Sequence, residues 1–222
     1  MLLLGGSGSL ALRQKGRDGQ ASRHRMSGNA NGGYMDVKKL AEDSLRKMLQ
    51  TYPYEKITVS MICEDTGMAR KTFYAHFDNK DAIVQEIFVR DVIKPQRDMR
   101  SLLPSDVRRS NSSLLTRKLY DAILEDANFY YALVGPLKGK DDVFLRVATN
   151  AIYQLASSVS LTSPQCQSEQ EADYAAYFFA SSQAMLLQKW ISERYSVDTE
   201  VLASWYEKLA VGYWHQRFPS ED

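Results

Sequence analysis

The chain has 222 residues, 44% hydrophobic and 25% charged, with a formal net charge of +1. This is an ordinary globular composition without a global basic field, so a polyanionic partner has to be met by a local patch. The cysteines, Cys63 and Cys166, sit in unrelated contexts and make no disulfide framework, which points to a reducing cytoplasm, and no apolar run is long enough to span a membrane.

In chain order, residues 1–35 read as a disordered leader or tail, rich in glycine, serine, arginine and asparagine. Its opening apolar residues are too few for a signal-peptide core. An upstream start ahead of Met26 or Met35 would account for it, and Arg13, Arg17, Arg23 and Arg25 are its candidate phosphate contacts. From Asp36, a candidate N-cap, Val37, Leu40, Ala41, Leu45, Met48 and Leu49 recur at spacings of three and four. That stripe predicts a first helix ending near Tyr52, because Pro53 disfavours helix in the residue before it. Thr58 caps a short second helix with Val59, Ile62 and Cys63 inward, and Gly67 supplies its left-handed exit. A third helix is predicted over 70–77. Asp78 and Asn79 break it and cap a fourth over 81–92, which runs to the neighbourhood of Pro95. Short helices around a glycine turn are helix-turn-helix organisation.

The stretch TGMARKTFYAHF, from Thr66, carries no acid between Met68 and Phe77. On a helical wheel Phe73 and Phe77 share one face and are expected to bury. The opposite face centres on Lys71 and Ala75 with Thr72 beside them. Arg70 and Tyr74 flank one edge and His76 the other. Cationic and hydroxyl donors around a small centre suit a DNA major groove, where a carboxylate would meet phosphate at short range.

The segment ITVSMICEDTGMARKTFYAHFDNKDAIVQEIF resembles the DNA-binding domain of the TetR/AcrR family of bacterial transcriptional regulators. Ile57-Thr58, Ile62-Cys63, Gly67, Thr72, Tyr74, His76-Phe77 and Lys80 carry the likeness, over roughly residues 36–88. Two positions depart from the family pattern. Ala69 replaces a serine-like cap, a loss on the order of 1 kcal/mol at the helix start, and Lys71 stands where a small residue is common. The resemblance implies that Thr58, Thr72, Tyr74, His76 and Lys80 hold phosphates, while Arg70, Lys71 and Ala75 approach base edges. It implies an all-α chain: a three-helix DNA-binding domain over 36–82, then a helical effector-binding and dimerisation domain over 83–222.

After Pro95 the sequence loosens. Helices are predicted over 112–124, 128–134, 140–159, 170–195 and 198–218. Ala172, Ala176, Ala180 and Ala184 form a row every fourth residue, which lets another helix approach closely. With Trp205 and Leu209 of the last helix, Ala176, Ala180 and Ala184 are the expected homodimer interface; an intrachain core is the alternative. Phe129, Tyr130, Tyr131, Tyr177 and Phe178 are candidate linings for a small apolar or aromatic effector, although aromatics at helical spacing also make ordinary core.

An enzyme is not expected, and neither is a cofactor, a metal or a catalytic residue. His24, His76 and His215 lack metal-ligand spacing. The Ser44-Leu45-Arg46-Lys47 spelling, placed on an exposed helix face, lacks its companion motifs. The expected function is a cytoplasmic, operator-binding homodimeric regulator, a repressor released by a small molecule, with a protein partner acting on the second domain as the alternative.

Overall fold

The computed structural model describes residues 30–104, 107, 112–134, 142–160, 166 and 168–212, and every regular element among them is a helix. Helix α1 spans Ala30–Met48, a single turn of 3₁₀-helix follows at Tyr54–Lys56, and α2 (Val59–Thr66) and α3 (Arg70–Tyr74) complete the amino-terminal unit. Asp36 therefore lies inside α1 and does not cap it, and helix begins within the stretch expected to be disordered. Gly32 and Gly33 cost about 1 kcal/mol each relative to alanine, but extending a helix already packed through Ala41 and Leu45 needs no new nucleus. Residues 1–29, with the four leader arginines, lie outside those described, as do Tyr213 onward and the end of the predicted last helix. Ser44 is buried, so the S-x-x-K spelling does not start on an exposed face.

Helix α4 (Lys80–Phe88) does not stop before Pro95. It passes through a π turn at Val89–Ile93 into α5 (Lys94–Leu102). The Lys94 N–H reaches back to the Val89 carbonyl, so the ladder is already re-registered when the proline arrives. Pro95 then occupies the first turn of α5, where its missing N–H costs least. The expected loosening thus begins a turn and more later.

The second unit contains α6 (Ser112–Glu125), α7 (Ala127–Val134), α8 (Val143–Ser160), α9 (Glu169–Ser192) and α10 (Thr199–Glu207), the last followed by a π turn at Lys208–Gly212. Helix α8 packs along α9 and also against α4, while α10 packs on α6. Buried residues from Ala41 to Ala203 form one contiguous apolar cluster, so the two units share a core. Helix α4 joins them: Ile83, Val84, Ile87 and Phe88 are all buried. Phe88 meets Tyr130 of α7 and Phe144 of α8 edge-on, with ring centroids 6.1 Å apart in each pair.

Candidate nucleic-acid interface

Local capping positions α3. The Thr58 hydroxyl accepts from the Met61 N–H at 3.3 Å and starts α2. Gly67, at φ 68°, ends it and donates its N–H to the Cys63 carbonyl. A side chain at that φ would be strained, so glycine makes this turn cheaply. Ala69 sits at the N-cap of α3 without a side-chain cap bond, as its methyl dictates. Regular helix ends at Tyr74, but the Phe77 N–H still reaches the Phe73 carbonyl at 2.9 Å, so the helical path continues through the predicted span. Asn79 then accepts from the Ala82 N–H and starts α4.

Phe73 and Phe77 are buried, with ring centroids 5.5 Å apart, and they seat α3 on the shared core. Arg70, Lys71, Thr72, Tyr74 and Ala75 are exposed on the other side, and so is Thr58 at the start of α2. Tyr74 is 56% exposed, its ring edge-on to Phe73, so its hydroxyl end stands outward. His76 is half-buried. The Arg70 guanidinium donates to the Ser60 hydroxyl at 2.7 Å, tying α3 to the first turn of α2. The exposed face of residues 68–77 therefore carries cations, hydroxyls and a small central residue, and no acid. It can meet phosphate and base edges without opposing charge.

Lys80 is placed differently. Its ammonium points inward, donating to the carbonyls of Tyr54 at 2.7 Å and Ile57 at 3.0 Å, and lies 4.0 Å from the centroid of the Tyr54 ring. Next to it, Asp81 accepts from the Tyr54 hydroxyl and from Arg146 of α8. Sequence reasoning missed Tyr54, Asp81 and Arg146, since nothing local pairs them.

The five effector aromatics are not gathered. Phe129 and Tyr130 are core residues, and burial pushes the Tyr130 hydroxyl well above the usual tyrosine range. Tyr131 is half-buried under the Arg194 guanidinium, 3.4 Å from its ring centroid. Tyr177 and Phe178 face outward from α9, with Tyr177 against Tyr153. Helical spacing alone could not tell core from surface here. The alanine row is also reassigned. Ala176, Ala180 and Ala184 are 0% exposed in the single chain, on the helix that packs along α8, so they are not available to a second copy. Trp205 and Leu209 are exposed, and Tyr174, Tyr177, Phe178 and Met185 of α9 are exposed with them. Among the described residues no His, Cys, Asp and Glu group could hold a metal ion, and no helix is long and apolar enough to cross a membrane.

Residues 43–87 match the family described as bacterial regulatory proteins, tetR family. Among solved structures, the chain is similar to the dihydroxyacetone kinase operon activator DhaS, with 20% identity, 81% of this chain and 96% of that chain covered, and a TM-score of 0.48. It is also similar to the fatty acid degradation regulator FadR from Bacillus halodurans, with 15% identity, 79% and 94% covered, and a TM-score of 0.49. No curated protein matches the chain.

Proposed function

We propose that this chain, whose residues 43–87 match the tetR family of bacterial regulatory proteins, is a member of that family and a cytoplasmic homodimeric repressor that binds a pseudo-palindromic operator. The reading rests above all on the acid-free outer face of α3, with Arg70, Lys71, Thr72, Tyr74 and Ala75 exposed over a buried Phe73. In a dimer, two such faces set about 34–36 Å apart would enter successive major grooves. The exposed aromatics of α9, with Trp205 and Leu209, support self-association. A signal received by the second unit would release DNA by changing that separation.

The nature of the signal has two readings. A small apolar or aromatic effector would need a shared lining. A protein partner acting on the second unit is favoured by one observation: Phe129 and Tyr130 lie in the core, whereas Tyr177 and Phe178 lie outside.

The test is a folded Arg70→Glu/Lys71→Glu double variant, titrated against duplex DNA over a range of salt. Wild type should bind with a steep log–log salt dependence, and the variant should lose binding because carboxylates now face phosphate. Equal binding by the two proteins would refute the proposal.

A further inference from the structure

We infer that Lys80 is a positioning residue for the DNA-binding surface, one that holds the Tyr54–Thr58 loop in place instead of gripping a phosphate. The inference rests on the DNA-binding reading above, but its geometry lies wholly within the free protein. Lys80 opens α4, where a cation opposes the positive end of the helix dipole, so its presence needs a compensating contact. Two backbone carbonyls supply it, those of Tyr54 at 2.7 Å and Ile57 at 3.0 Å, and the face of the buried Tyr54 ring closes the site at 4.0 Å. The carbonyls bracket the loop just before Thr58, which is both the cap of α2 and an exposed hydroxyl of the proposed interface.

Asp81 holds the same loop from its other side, through the Tyr54 hydroxyl. The loop's own bonds are sparse: Lys56 N–H to the Pro53 carbonyl and Ile57 N–H to the Tyr54 carbonyl. Without Lys80, the Ile57 carbonyl loses a charge-assisted donor, and the loop is free to shift relative to α4. Swinging the ammonium fully out to a phosphate would give up the two carbonyls and the ring together. The inward arrangement is fully formed in the free protein.

Phosphate grip and loop clamp make different predictions for Lys80→Gln. Binding is read against a random-sequence duplex long enough for two successive grooves, over a range of salt. Amide hydrogen exchange is read on the free protein. A clamp predicts an affinity about tenfold weaker with an unchanged log–log salt slope, and faster exchange at Lys56, Ile57 and Met61 but not in α8. A slope lower by about one unit, or loop amides that exchange as in wild type, would overturn the inference. Should the glutamine variant fail to fold, Lys80→Met replaces it, since it keeps an apolar stem against the Tyr54 ring and donates to neither carbonyl. The clamp predicts faster loop exchange in this variant too, and exchange as in wild type overturns it. Failure of wild type to bind DNA would sink the proposed function while leaving the exchange result readable.

Discussion

Arg90, in the π turn after α4, grips both carboxylate oxygens of Glu42 in α1, at 2.6 and 3.1 Å. Glu42 is only 6% exposed and also accepts from Arg46, one turn along its own helix, at 3.1 Å. Arg46 reaches on to Asp126 between α6 and α7, and its guanidinium lies 4.3 Å over the Phe129 ring. A single carboxylate thus anchors a network from the amino-terminal unit to the second unit.

Burial works against the Glu42 charge, yet Arg90 and Arg46 outweigh it and hold the carboxyl below its ordinary value of 4.5. A depressed carboxyl contributes stability that is fully present above that ordinary value and lost as pH falls through the folded-state value. Removing one partner of a fully buried pair costs about 3–5 kcal/mol. Arg90 is 47% exposed, so solvent screens part of this interaction. Glu42→Gln should therefore lose about 2 kcal/mol in urea denaturation at neutral pH. The gap to wild type should narrow as pH falls below the ordinary carboxyl value and through the lower folded-state value, where the wild-type carboxyl becomes protonated as well. A gap that stays constant with pH would show that the charge is not what matters.

Gln96, buried in α5, is held by the backbone of α6. With its amide oriented to match donor to acceptor, it donates to the Leu115 carbonyl at 3.0 Å and accepts from the Leu119 N–H at 2.9 Å. Those two backbone groups stand one turn apart and pair with each other in a regular α-helix. A nonpolar replacement therefore orphans neither, and Gln96→Leu should stay within about 1 kcal/mol of wild type. Gln96→Glu sets a buried carboxylate against a carbonyl and should cost about 3 kcal/mol or more unless it protonates. Chemical denaturation of both variants checks the pair, and equal losses would contradict this account.

The two sides of α9 should answer differently to substitution. Ala180→Leu forces a branched side chain into the contact with α8 and should cost about 3 kcal/mol of chain stability. Tyr177→Glu combined with Leu209→Glu alters only exposed positions. It should leave helical content unchanged while shifting sedimentation from dimer towards monomer, because unpaired carboxylates would be buried between copies. A wild-type protein that sediments as a folded monomer at micromolar concentration would remove the basis of this prediction.

The helices and turns of the amino-terminal unit were legible in the sequence because their signals are local. Thr58 and Asn79 accept from amides three residues ahead, Gly67 takes the left-handed turn in its own backbone, and Phe73 and Phe77 are separated by one helical turn. Capping, glycine conformation and amphipathic period need no knowledge of distant residues. The all-α class follows from the same periodicities. Contacts between distant residues decided the rest. Lys80 reads as a surface cation until Tyr54 and Ile57, more than twenty residues away, offer it carbonyls. An alanine row announces a close helix approach but not whose helix approaches, and α8 of the same chain takes that place. Pro95 signals a break, yet the packed α4 carries on past it through a π turn. In each case the side chain had two acceptable environments at similar local cost, and only the tertiary packing could choose between them.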